Sequence, residues 1–139
     1  MNAAPKWFMP VAVLALLWNL LGCFMIFQDA TMTPEAVAQL PADMQAVHAA
    51  RETWMVIGSI VAVAAGALGS LGLVLRRRWA TPLLILSVLG LVAQDLGFLL
   101  ISRGTPIPSA GWIMQGLVFV IAVLLVLMAR KAARNGWLR

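Results

Sequence analysis

Four long apolar stretches, separated by polar segments, dominate the hydropathy pattern of this chain. They run from Trp7 to Phe27, Trp54 to Leu75, Trp79 to Ile101 and Trp112 to Ala129. A helix rises about 1.5 Å per residue, so about 20 apolar residues cross a hydrocarbon core about 30 Å thick. Each stretch is therefore predicted to span a membrane. The predicted fold class is all-α, a four-transmembrane-helix bundle forming one integral membrane domain over residues 1–139.

The one long polar segment, residues 28–53, carries a helical pattern of its own. Thr33, Pro34 and Glu35 form a favourable helix start, because a hydroxyl caps free N–H groups, proline suits the first position and an acid favours the positive end of the dipole. Apolar residues then recur at spacings of three and four, at Val37, Leu40, Met44 and Val47. We expect one or two short amphipathic helices, interrupted at Pro41, that lie on the membrane surface or cap the bundle.

Composition and charge agree with lipid as the solvent and predict an orientation. Hydrophobic residues make up 63% of the chain and charged residues 11%, far from the usual composition of soluble domains. Eight of the ten Lys and Arg residues lie on one side of the predicted topology: Lys6, Arg76, Arg77, Arg78, Arg130, Lys131, Arg134 and Arg139. By the positive-inside rule, both termini and the turn at residues 76–78 are predicted to be cytoplasmic. The same rule accounts for the net charge of +5, so lipid and not nucleic acid is the expected partner.

The second span carries a seam of small residues, which predicts close helix packing. The small residues recur at helical spacing, and the predicted packing positions are Gly58, Ala62, Ala65, Gly66, Gly69 and Gly72. In lipid, helices associate through close backbone approach, dispersion and weak hydrogen bonds, all of which small residues permit. The second span is therefore predicted to lie at the crowded centre of the bundle.

Asp95 is the charged residue within the third span and the main candidate for chemistry. An acid near the bilayer centre costs about 2.5 to 3.5 kcal/mol on insertion scales, so it usually faces the bundle or a water-filled cavity. Gln94, Gln115 and Asn19 lie at overlapping depths on three spans. These four residues are predicted to converge on a substrate or proton site in the outward half of the bundle.

An alternative interpretation gives the same residues a structural role. Asp95 would pair with Arg51 or Arg103 near the outer surface, and the amides would form hydrogen bonds between helices. His48 lies on the same outer side, but a lone loop histidine is usually solvated. The sequence leaves open whether Asp95 is functional or structural.

No motif for covalent, metal or redox chemistry accompanies these residues. Cys23 is the only cysteine and His48 the only histidine, which excludes an internal disulfide and any ordinary zinc site. Nucleophile-elbow, phosphate-loop, CxxC and HExxH motifs are absent. No catalytic residue, cofactor or metal is expected, and the chain is not expected to be an enzyme. Leu20–Cys23 also resembles a lipoprotein lipobox, but the apolar run continues through Phe27, which favours an intact helix.

Several short motifs resemble a group of small bacterial four-helix membrane proteins. They are Leu17-Trp18-Asn19-Leu20-Leu21-Gly22, Ala65-Gly66-Ala67-Leu68-Gly69, Arg77-Arg78-Trp79-Ala80-Thr81-Pro82-Leu83, Leu86-Ser87 and Leu40-Pro41. Members of this group are often labelled sugar transporters, and the resemblance implies a place in the bacterial inner membrane. Thr53 stands where the group's pattern has a proline just before Trp54, so the outer helix is predicted to run on into the second span.

Two functional hypotheses follow, and one structural observation separates them. The first is a transporter or sensor of a small polar solute, for which transport would need a homodimer. The alternative is a non-transporting accessory or assembly protein that packs against a larger membrane partner. A cavity lined by Asp95 and Gln115 would favour solute handling. A closed bundle with an Asp95–arginine pair and a lipid-exposed seam from Gly66 to Gly72 would favour the accessory role.

Overall fold

The computed structural model describes residues 4–107 and 109–138, and within them the chain is helical, without a strand. Arg139, counted above among the basic residues, lies outside the described residues. The helices are α1 (Phe8–Ala30), α2 (Pro34–Ala38), α3 (Ala42–Ala50), α4 (Thr53–Val74), α5 (Ala80–Ser102) and α6 (Ser109–Arg134). The predicted all-α bundle is confirmed.

Four of these helices, α1, α4, α5 and α6, are long and apolar enough to cross a membrane. The chain is therefore a multi-pass membrane protein. Their bounds differ most from the predicted spans in α6, which begins at Ser109 and continues through the basic residues to Arg134. Lys, Arg and Ala are good helix formers, and cations are favourable at the negative end of the helix dipole, so the helix does not stop where the apolar run stops.

The polar segment forms two short helices, as its pattern predicts. Thr33 Oγ1 accepts a hydrogen bond from the Ala36 N–H at 3.2 Å, with Pro34 at the first helical position of α2. The prediction that the outer helix runs on into the second span is wrong. Arg51 and Glu52 have extended backbone between α3 and α4. The chain turns there because it must pass from a capping segment into the bundle, and the Arg51 side chain binds back to α1.

The four long helices form an incomplete ring in which α4 occupies the centre. It packs closely along α5 and α1, and α5 packs on α6, whereas α1 and α6 make little direct contact. Glycine permits the closest approach, between α4 and α5. A Cβ atom added at Gly90 would lie 2.8 Å from the Gly58 carbonyl oxygen and 2.7 Å from the Ala62 nitrogen. All six predicted packing residues of α4 are buried.

The two ends of the bundle differ, and we call them the basic end, at the turn of residues 76–78, and the loop end, at α2 and α3. At the basic end all four long helices contribute to one apolar core, which includes Phe8, Leu73, Ala80 and Ala129, each fully buried. The Phe8 ring also packs edge-on against Trp137, with centroids 5.6 Å apart. The bundle is therefore closed at the basic end, and its open side lies between α1 and α6 toward the loop end.

Candidate functional site

A cavity of about 380 Å³ occupies the middle of the bundle, and we call it the mid-bundle cavity. All four long helices contribute to its wall, and it lies on the side where α1 and α6 are not in close contact. Most of the wall is apolar, including Leu84, Leu91 and Val118. None of the described residues that line it is charged. A space of this size and lining is typical of a site for a small organic molecule.

A second cavity of about 380 Å³ lies nearer the loop end, and we call it the loop-side cavity. Three residues of the predicted apolar stripe line it: Leu40, in the turn between α2 and α3, and Met44 and Val47 on α3. The turn and α3 therefore cap the bundle here. Three residues line both cavities, namely Ile26, Gln94 and Gln115. The two spaces therefore adjoin at these side chains.

The structure brings together three of the four residues that the sequence proposes for the site. Gln94 and Gln115 stand at the boundary of the two cavities, and Asn19, at the middle of α1, lines the mid-bundle cavity. Asp95 lines neither cavity. Consecutive helical residues point about 100° apart, so Gln94 and Asp95 share a depth but not a face. The three amides therefore line one cavity, and the carboxylate does not.

Asp95 also lacks the ion pair that the structural alternative requires. Its Oδ1 atom is buried and has no hydrogen-bond partner among the described residues. Arg51 pairs with Asp29 instead, through its guanidinium. The pairing of Asp95 with Arg51 is therefore wrong, because Asp29 at the end of α1 already binds the Arg51 guanidinium. Arg103 forms no ion pair with Asp95 within residues 4–107 and 109–138.

The Asn19 side chain is held by two hydrogen bonds. Its Nδ2 atom donates to the Ala15 carbonyl oxygen at 2.9 Å, within α1, and to Ser70 Oγ on α4 at 3.1 Å. The second bond crosses between helices and fixes the amide against the centre of the bundle. Ser70 is fully buried.

Ser87 and Gly66 complete this region, although neither belongs to the site that the sequence pattern predicts. Ser87 lines the mid-bundle cavity and donates to the Ala62 carbonyl oxygen at 2.6 Å. A Cβ atom on Gly66 would lie 3.0 Å from Ser87 Oγ and would overlap Asn19 Oδ1. A signal was present in the sequence, because Ser87 lies two helical turns from Gln94 and therefore on the same face of α5.

Three charged or titratable side chains surround the loop-side cavity where α1 meets the end of α3. The Arg51 guanidinium contacts both an Asp29 carboxylate oxygen and His48 Nδ1. His48 Nδ1 and Asp29 Oδ1 are 3.8 Å apart. Each side chain is about one-third exposed or less, at 27 to 34%. The cluster ties α3 to α1 and neutralises the charge of Arg51 and Asp29 at the wall of the cavity.

The two cavities together offer neutral hydrogen-bonding groups and one internally paired cluster of charges. Within the described residues, no group of three His, Cys, Asp or Glu side chains could hold a metal ion. No protein-family model, curated protein or solved structure matches the chain. Function is therefore inferred from the geometry of the two cavities and from the side chains that line them.

Proposed function

We propose that this chain is a protein of the bacterial inner membrane that binds a small polar solute and acts as its transporter or sensor. The observation that carries the proposal is the junction of the two cavities at Gln94 and Gln115. Amides that line the same cavity from several helices can replace the water that a neutral solute loses on entering the bundle. The sugar-transporter label of the group that the chain resembles belongs to the same class of function.

The orientation follows from the positive-inside rule. The basic end carries Arg76, Arg77 and Arg78 and the last turns of α6, with Lys131 and Arg134. With this end in the cytoplasm, the loop-side cavity faces outward. A solute would enter there, pass Gln94 and Gln115, and reach the level of Asn19. The closed core at the basic end then corresponds to an outward-facing state.

The accessory role has less support, because the glycine seam of α4 is already packed against α5 of the same chain. Gly69 lies against Leu84 and Gly72 against Ala80, both on α5, so this surface is not available to a partner helix. A partner is still expected on the open side between α1 and α6. For transport we expect a second copy of the chain there, and for the accessory role a larger membrane protein.

Reconstitution into liposomes with a panel of radiolabelled sugars, polyols and alcohols tests this function. We expect wild-type protein to accumulate or bind at least one solute. Gln115→Leu is expected to lower that signal about tenfold, since a lost hydrogen bond at a desolvated site costs about 1 to 3 kcal/mol. Gln28→Leu is the matched control, because Gln28 is an exposed glutamine of α1 that lines neither cavity. Absence of both flux and binding for every solute would contradict the proposal.

A further inference from the structure

The hydrogen bonds of Asn19 determine which of its atoms is left for a solute. The Ala15 carbonyl oxygen can only accept, so the amide nitrogen must face it and Oδ1 must point the other way. The second N–H is used by Ser70 Oγ. No donor from the described part of the chain reaches Asn19 Oδ1. Asn19 therefore offers the mid-bundle cavity an acceptor and no donor.

Ser87 offers the same chemistry. Its one hydroxyl proton is donated to the Ala62 carbonyl oxygen at 2.6 Å, which leaves the oxygen lone pairs as acceptors. Ser87 Oγ and Asn19 Oδ1 are neighbours, since both lie within 3.0 Å of the position that a Cβ atom on Gly66 would take. The absence of a side chain at Gly66 thus leaves room for both oxygens, and a hydroxyl or N–H group that enters the mid-bundle cavity can donate to either of them.

The rest of the wall limits how many polar groups a solute can carry. Leu84, Leu91, Val118 and Leu125 are apolar, and the lining holds no charge to offset an ionic group. Each hydroxyl that enters without a partner loses its hydrogen bonds to water at a substantial cost. The other polar side chains of the lining are Trp18, Gln94 and Gln115. A sugar carries hydroxyl groups on all sides, so several of them would lie against the apolar wall without a partner.

We propose that the substrate class is an uncharged molecule with an apolar body and one or two hydroxyl or N–H groups. Asn19 Oδ1 and Ser87 Oγ accept hydrogen bonds from the donor group, and the apolar body lies against the leucine and valine side chains. This inference rests on the proposed function and narrows its substrate from polar solutes in general to donor-bearing amphipathic ones.

Equilibrium dialysis of three compounds against protein-loaded and empty lipid nanodiscs tests the class. The compounds are menthol, its methyl ether, which lacks the donor, and glucose. We expect wild-type protein to bind menthol about tenfold more tightly than the ether, because one desolvated hydrogen bond distinguishes them. Glucose is expected to bind more weakly than menthol. Equal affinities for menthol and its ether, or tighter binding of glucose, would overturn the inference.

Two substitutions test whether Asn19 Oδ1 and Ser87 Oγ account for the tighter binding of menthol. Ser87→Ala is expected to weaken menthol binding about threefold and Asn19→Leu about tenfold, while neither changes the affinity for the ether. A purely structural role would change both affinities alike and would overturn the assignment. Ser87→Ala keeps the test valid if Asn19→Leu fails to fold. Ser102→Ala is the control, because it removes a hydroxyl–carbonyl bond of the same 2.6 Å length outside both cavities.

The outcomes separate this inference from the proposed function. Flux or binding of other solutes without discrimination between menthol and its ether overturns the substrate class alone. Absence of any flux or binding across the liposome panel overturns the proposed function.

Discussion

The α4–α5 interface of this bundle is tightly packed, whereas the α1–α6 side is open, although both lie in the same lipid solvent. Between α4 and α5, Gly58 and Gly90 allow backbone to approach backbone, and no space remains. Between α1 and α6, large side chains such as Trp18, Met25 and Met114 line a cavity instead. The comparison indicates that side-chain size at facing positions, and not hydrophobicity, decides where a membrane bundle closes.

Gly66 lies at the border between these two regions. It belongs to the glycine seam of α4 by its spacing, yet the atoms nearest to its added Cβ belong to the polar side chains of Asn19 and Ser87. At Gly90 the nearest atoms are backbone. The same residue type thus serves packing at one position and leaves room for polar groups at the other.

The largest expected effect comes from adding a methyl group at the tight interface between α4 and α5. Gly90→Ala is expected to lower the free energy of unfolding in detergent by about 2 kcal/mol or more, because overpacking costs about 1 to 3 kcal/mol and backbone atoms cannot move aside. Gly116→Ala is the control, since no atom lies within 4 Å of its added Cβ. Equal stability of the two variants in a thermal or denaturant titration would show that the interface is not as close as described.

The next largest effect distinguishes Gly66, which faces polar side chains, from Gly90, which faces backbone. Gly66→Ala is expected to lower solute affinity about tenfold and to cost about 1 kcal/mol in stability. A side chain can shift where backbone cannot, and the cost is that of a weakened Asn19–Ser70 hydrogen bond. Binding in nanodiscs and unfolding in detergent measure the two quantities. If Gly66→Ala were as destabilising as Gly90→Ala and left affinity unchanged, Gly66 would be a packing residue only.

A smaller effect is expected for the ionic cluster that ties α3 to α1 at the open side. Arg51→Gln is expected to lower the free energy of unfolding by about 0.2 to 1 kcal/mol, the usual range for partly exposed ion pairs. The difference should shrink as salt is raised, since salt screens exposed charges. Arg103→Gln, at the same end of the bundle, is the control. A loss that does not depend on salt would argue against an electrostatic tie.

The smallest effect on solute binding is expected for Asp95. Asp95→Asn should leave the binding free energy within about 0.5 kcal/mol of wild type, because the residue lines neither cavity. The free energy of unfolding of Asp95→Asn should be higher than that of wild type, since a neutral amide is easier to insert in lipid than an acid. Flux assays and unfolding titrations test both statements. Loss of flux in Asp95→Asn would place this carboxylate in the transport mechanism.

Several features were predictable because they depend on neighbours along the chain. The spans follow from runs of apolar residues, the start of α2 from Thr33 and Pro34, and the seam of α4 from the spacing of its glycines. The end of α6 was not predictable from hydropathy, because helix formation and membrane burial have different requirements. The separation of α3 from α4 was also missed, since it accompanies a contact between Arg51 and Asp29, 22 residues apart.

The sequence by itself determined that this chain is a bundle of apolar helices and that Gln94 and Asp95 lie at one depth on the same helix. Only the tertiary structure decided that Gln94 reaches both cavities while Asp95 reaches neither, and that Asn19 meets Ser70 and lies beside Ser87. The physical reason is that the depth of a residue depends on its position along one helix, whereas the groups that its side chain contacts depend on where the neighbouring helices lie.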